Sequence, residues 1–272
     1  MSKSKVVQYT IPTSSDQNER IEHYLDQQDL EGMKPYYKKY AEDNIKNSGT
    51  PKDFFEALLE KNQIFKKTKQ TTSRVLKAGF GKEKTLESFN FKAENLKNIN
   101  ERQIRDLANS TFIKDMKNIL IIGDSKLGKT HIAKALARKA IDKCYNVRFI
   151  ELDRIIDELL FKRKDVDSQK RFFDGLLRPD LLVIDEIKYR KSTPDIQEFF
   201  YRLIHQRHEQ KSTIFTSSKD FSEWKNLLGN YANETINRIL DKEYSVLIHL
   251  KGEPYQVGYR NVQPINSVQV VL

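Results

Sequence analysis

The chain has 272 residues, a formal charge of +10, a pI near 9.4, and 38% hydrophobic with 10% aromatic residues. That length suits one large domain or two modest ones with a buried core, and the cationic excess favours an anionic partner, nucleic acid or a membrane surface. A lone cysteine, Cys144, excludes an internal disulfide and fits a reducing cytoplasm, while the opening residues lack an apolar targeting core and no run approaches a membrane span.

Residues 1–16 are polar and are expected to form a flexible tail. From Asn18 to Lys46 apolar residues (Ile21, Tyr24, Leu25, then Leu30, Met33, Tyr37) recur at three- and four-residue steps, interrupted at Gly32 and Pro35. Gly49-Thr50-Pro51 marks a restart, with Thr50 as N-cap, Pro51 in the first helical position and Asp53 in the first turn. Phe54, Phe55, Leu58, Leu59 and Ile64 carry that helix onward, so the chain opens with a small helical module. The stretch from Lys61 to Lys84 is the most lopsided in charge. Lys61, Lys66, Lys67, Lys69, Arg74, Lys77, Lys82 and Lys84 face a single acid, Glu83. Two readings stay open, a solvated helix face or contact with DNA phosphates through counterion release.

Ala78-Gly-Phe-Gly81 breaks the helix, Thr85 to Phe91 reads as an extended linker, and Ile99 to Met116 as one helix. The strands expected are Ile119–Ile122, Asn146–Leu152, Leu181–Glu186, Ser212–Ser217 and Ser245–Leu250. Between them run helices over His131–Lys143, Asp153–Arg163 and Val166–Leu177. Another follows Ser192-Thr193-Pro194, with Ile196, Phe199, Phe200, Leu203 and Ile204 on one face. Strands alternating with helices predict an α/β fold with an open parallel sheet.

The chemistry gathers around Gly123-Asp-Ser-Lys-Leu-Gly-Lys-Thr130, between the first of these strands and the following helix. The pattern is that of a phosphate-binding loop. Gly123 and Gly128 let the backbone turn and aim N–H groups at phosphate oxygens, where the helix N-terminus adds partial positive charge. Asp124, Ser125, Lys126 and Leu127 form the loop body, and His131 follows it. Lys129 reaches the β- and γ-phosphates, and the Thr130 hydroxyl suits Mg²⁺. Asp185 and Glu186 end an apolar strand, which divides the labour between the metal side (Asp185) and the attacking water (Glu186). Thr216-Ser217-Ser218 ends another strand and offers a polar side chain near the γ-phosphate. The five histidines show no metal spacing with Cys144, so no zinc is expected.

These segments, with Phe221-Ser-Glu-Trp224, stand in the order and spacing of AAA+ ATPases. They resemble the branch that holds IstB-type transposition helpers and DnaC-type helicase loaders. Asn237-Arg-Ile-Leu240 resembles that branch's arginine-finger segment, and Lys251-Gly-Glu-Pro-Tyr255 its Gly-Glu-Ser-Tyr ending. Leu30-Glu-Gly-Met33, and Lys77-Ala-Gly-Phe80 followed by Thr85 to Phe91, favour the IstB type. The resemblance implies an AAA+ P-loop core with a five-stranded parallel sheet and no C-terminal lid, preceded by a small all-α domain. The divisions expected are 1–16, 17–84, 85–262 and 263–272.

It further implies ATP and Mg²⁺ as cofactors, with Thr130 and Asp185 on the metal and Glu186 as catalytic base. Ser218 would be the polar sensor and Arg238 the finger given to a neighbouring subunit of a homo-oligomer; a plain helix-surface arginine is the other reading of Arg238. The partners implied are duplex DNA and a transposase, or, for a loader, single strands and a replicative helicase. DNA contact is expected from Lys66, Lys67, Lys69, Arg74 and Lys77, and from Lys162, Arg163 and Lys164 with Lys170 and Arg171 on the two inserted helices. The Lys188-to-Lys191 loop is a further candidate. Asp124 in the loop, Ser218 in place of asparagine and Pro254 in place of serine depart from the pattern, and the first two leave room for an adaptor that binds ATP without turnover.

Overall fold

The computed structural model describes residues 13–253 apart from 83, 95, 98, 164, 189–191 and 219–220. Most of the leading tail, Glu83, Lys164, residues 189–191 and everything from Pro254 onward, including the segment where a lid would lie, fall outside the described residues. The chain divides into two compact units between Ser73 and Arg74.

The first unit is helical. Asp16 caps α1 (Gln17–Gln27) by accepting the Asn18 N–H, and a short turn (Glu31–Met33) leads to α2 (Tyr37–Lys46). The long α3 (Pro51–Ala78), whose last residues belong to the second unit, starts as the residues predict. Thr50 and Asp53 cap each other, with Thr50 N to Asp53 Oδ2 at 2.8 Å and Asp53 N to Thr50 Oγ1 at 3.3 Å, a reciprocal box ahead of Pro51. Met33, Tyr37 and Leu58 form a small core, with Ile21, Leu25 and Phe54 packed against it.

In the second unit a six-stranded sheet has the order β1-β6-β2-β5-β4-β3. The strands are β1 (Leu96–Lys97), β2 (Asn118–Gly123), β3 (Val147–Glu151), β4 (Leu181–Ile187), β5 (Ser212–Ser217) and β6 (Ser245–Gly252). The last five pair in parallel, as expected; β1 adds an antiparallel edge on β6. Two residues carry no periodicity, so β1 is invisible in the sequence. The expected helix from Ile99 to Met116 is instead two, α4 (Glu101–Leu107) and α5 (Thr111–Lys114). Ser110 separates them at φ +57, left-handed backbone that no right-handed helix can pass through.

Alternation along the strands feeds two cores. Ile119, Ile121, Val183, Ile214 and Ile248 face α6 (Lys129–Asp142), whose Ile132, Leu136 and Ile141 are buried. Leu120, Leu182, Ile184 and Phe215 face the other layer. That layer holds α7 (Leu152–Phe161), α8 (Val166–Leu177), α9 (Pro194–Arg207), α10 (Phe221–Leu228) and α11 (Ala232–Ile239). Sequence periodicity assigned no element to α10 or α11. Within this layer Arg207 is buried, yet it is hydrogen-bonded to the carbonyls of Leu176, Leu177, Pro179 and Ser212 and to Thr213 Oγ1. Burial pulls its pKa down to about 10 and Asp180 opposes the shift, so it stays charged. Among the described residues no helix is long and apolar enough to cross a membrane.

Candidate nucleotide site

β2 runs into its loop at Gly123, and the loop hands over to α6 at Gly128. Both glycines are required. Gly123 has φ +150, and a Cβ there would lie 2.2 Å from the Leu250 carbonyl oxygen. Gly128 has φ +91, and a Cβ there would meet the Phe89 ring at 2.6 Å. Around the loop opens a cavity of about 930 Å³, within the usual range for ligand sites. Its walls bring together Ser125 to His131, Glu186, Thr216 and Ser218 with Ser88 and Phe89 of the linker and Leu96 of β1.

Lys129 folds back on its own loop, donating from Nζ to the Asp124 carbonyl at 2.6 Å. Burial pushes its pKa below the ordinary lysine value, and the carboxylates of Asp124, Asp185 and Glu186 counter that shift. Asp124 thus supports the charge on Lys129. Thr130 Oγ1 lies 3.0 Å from both carboxylate oxygens of Asp185, although β5 separates β2 from β4. A hydroxyl and a carboxylate in contact form a hard oxygen donor set that fits Mg²⁺. Glu186 is exposed, with Lys188 Nζ 3.9 Å from its Oε1 and 2.8 Å from Asp153. Ser218 is half-buried and faces the cavity. Thr216, which the sequence left in a run of three polar residues, holds Asp185 and Glu186 together.

His131 turns toward the linker. Its Nε2 lies 2.7 Å from the Thr85 carbonyl and 3.2 Å from Ser88 Oγ, and its ring meets Phe89 edge-on at 5.1 Å. A carbonyl only accepts, so Nε2 carries the proton. Burial lowers the His131 pKa; the Thr85 bond raises it and Lys84 lowers it further. Lys139 Nζ reaches Glu87 at 2.7 Å and holds that carboxyl down to about 2. The linker is therefore pinned along α6, with Phe89 over the loop. No spacing rule pointed to this, because the partners lie over forty residues apart in sequence.

The candidate DNA-contacting residues are less uniform than their sequence run. Lys66, Lys67 and Lys77 are exposed, and Arg74 is half-buried with Nη1 lacking a hydrogen-bond partner among the described residues. Lys69 instead pairs with Glu31 at 2.9 Å. Lys162 pairs with Glu158, and Arg163 with Asp195 at 3.4 Å; Lys164 lies outside the described residues. The Lys69 and Arg163 pairs are exposed, hence weak and able to exchange for phosphate, whereas the Lys162–Glu158 pair is half-buried. Arg238 sits on α11 against Glu234 and the Tyr201 ring.

A parallel sheet with a glycine-cornered phosphate loop at the carboxyl end of β2, and an acidic pair ending β4, defines a P-loop nucleotide-binding protein of the AAA+ class. The chain belongs to the family of IstB-like ATP-binding proteins, whose sequence pattern matches residues 24–261. It is similar to a protein of insertion sequence IS5376 from Geobacillus stearothermophilus, named for ATP binding, with 29% identity over 90% of this chain and 96% of the relative. A protein of insertion sequence IS21 from Pseudomonas aeruginosa, named likewise, is 29% identical over 92% of this chain and 97% of its own. Among solved structures DnaI superposes with a TM-score of 0.51 at 17% identity, over 64% of this chain and 90% of that one. AMPPCP-bound DnaA from Aquifex aeolicus gives 0.50 at 19% identity, over 62% and 51%. These structures agree in fold.

Proposed function

We propose that this protein is a Mg²⁺-dependent ATPase that assembles with ATP on duplex DNA, without choosing a sequence, and presents that DNA to a transposase. The relatives' insertion-sequence names support the transposition setting. The observation that carries the ATPase reading is the contact of Thr130 with Asp185, beside Glu186, at the mouth of the phosphate loop.

In this reading the loop N–H groups and the α6 N-terminus bind the phosphates, and Lys129 leaves the Asp124 carbonyl to follow them. Thr130 and Asp185 would hold Mg²⁺, which would offset the phosphate charge there. Glu186 orients water and accepts its proton, Ser218 contacts the phosphate end, and Arg238 serves the site of a neighbouring subunit. The exposed Lys66, Lys67 and Lys77 supply phosphate contacts to DNA, and Arg74, Lys162 and Arg163 supply further ones.

The test has two arms. ATP hydrolysis is compared between wild type and Glu186→Gln, and DNA affinity between equal-length duplex and single strand, with and without ATP and Mg²⁺. Turnover lost in the variant, with tighter ATP-dependent binding to duplex, is expected. Turnover absent from both proteins would leave a nucleotide-binding adaptor, and a single-strand preference would point to helicase loading.

A further inference from the structure

We infer that Thr216 is the residue that positions the Asp185–Glu186 pair for turnover, an inference that rests on the ATPase reading above. β5 lies between β2 and β4, so Thr216 stands between the strand that launches the phosphate loop and the strand that ends in acids. The β4–β5 register passes from Ile184 opposite Phe215 to Ile187 opposite Ser217, which leaves Asp185 and Glu186 together facing the single Thr216. In a regular strand neighbouring side chains point to opposite faces. The extra residue of a bulge breaks that alternation and re-aims the chain.

Here the bulge places Glu186 at φ +60, backbone that a non-glycine residue keeps only where its surroundings hold it. Thr216 supplies the hold. Its hydroxyl accepts the Glu186 N–H at 2.8 Å and donates to Asp185 Oδ1 at 2.5 Å. The residue is buried, so neither bond competes freely with water. Asp185 is held from two sides, by Thr130 from the loop and by Thr216 from β5. Only Thr216 also governs Glu186. One hydroxyl therefore ties the carboxylate on the metal side to the backbone that aims the general base, and no other side chain among the described residues makes both bonds.

The experiment compares steady-state ATP hydrolysis, in Mg²⁺ and duplex DNA, with equilibrium binding of a fluorescent ATP analogue. The proteins are wild type, Thr216→Val, Thr216→Ser and Glu186→Gln. Valine keeps the shape and removes both bonds; serine keeps the hydroxyl and drops the methyl. The expected result is a fall in kcat of about 10–100-fold for Thr216→Val, the usual cost of losing an outer-shell partner. Nucleotide affinity should stay within about threefold of wild type, and Thr216→Ser should recover most of the rate. If Thr216→Val melts well below wild type, Thr216→Ala makes the same comparison with a smaller side chain. Wild-type kcat in the valine variant, or equal damage from serine and valine, overturns the positioning role while leaving the ATPase reading intact. Turnover absent in both wild type and Glu186→Gln defeats that reading, and the positioning role with it.

Discussion

Arg238 Nη1 lies 2.7 Å from Glu234 Oε1, one helical turn earlier on α11, and the same carboxylate oxygen accepts the Tyr201 hydroxyl at 3.2 Å. The arginine holds the Glu234 carboxyl below its ordinary pKa, so the pair is ionised at neutral pH. An arginine that serves a neighbour's nucleotide must give up this partner or swing with it. We expect Arg238→Ala to cut turnover by about 10³-fold, the lower end for such a finger, with ATP affinity little changed. Mixing Arg238→Ala with Glu186→Gln should restore part of the rate, because each variant supplies what the other lacks across a shared site. An Arg238→Ala protein that turns over like wild type would make this an ordinary surface arginine.

The phosphate loop makes a sharper structural demand at Gly123 than at any neighbour. The atom a Cβ would strike, at 2.2 Å, is a backbone carbonyl oxygen of β6, which cannot rotate aside. Gly123→Ala is therefore expected to cost about 1–3 kcal/mol through forced displacement, and to lower the melting temperature even without nucleotide. Lys129→Ala should do the reverse. It removes ATP binding and leaves the melting temperature of the nucleotide-free protein nearly unchanged. Equal melting temperatures for Gly123→Ala and wild type would mean that the β2 end can move away from β6.

Much of the sheet was legible because β2 and β4 are continuous apolar runs, and a strand buried on both faces needs no alternation to be recognised. The acidic pair was legible for the same reason, since two carboxylates at the end of such a run have no place in its core. The bulge was not. It exists only in the register of β4 against β5, so Thr216 could not be told from Ser217 or Ser218 by residue type. The break at Ser110 was hidden because left-handed backbone there follows from tertiary packing; a serine at that point carries little signal. Glu234 was within reach, because an acid four residues before an arginine on a helix is a standard pair. The grip of Thr85 and Ser88 on His131 was out of reach, because linker and helix meet only in the folded chain.

That grip predicts a pH response. Burial lowers the His131 pKa from its ordinary 6.5, so the folded protein prefers the neutral ring. The unfolded chain takes up the proton first as pH falls. The contribution of this group to stability is thus complete above about 6.5, and is lost as pH drops through that value toward the lower folded pKa. The melting temperature should fall between pH 7 and pH 5.5 by more in wild type than in His131→Asn. Parallel curves for the two proteins would remove His131 from the response.

The basic stretch of α3 yields a test that separates one lysine from its neighbours. Lys66 and Lys67 are exposed with no acid in reach among the described residues, whereas Lys69 is engaged with Glu31 at 2.9 Å. Each lysine that neutralises a DNA phosphate releases counterions and adds about 0.9 to the slope of log affinity against log salt. Replacing Lys66 and Lys67 together with alanine should lower that slope by about 2, for any duplex sequence, since phosphate contacts carry no base information. Lys69→Ala should change it less, because that charge is already partly spent on Glu31. A slope unchanged by the double variant would take this segment of α3 off the DNA. A slope changed most by Lys69→Ala would mean that DNA displaces Glu31 and that the ion pair is a placeholder for phosphate.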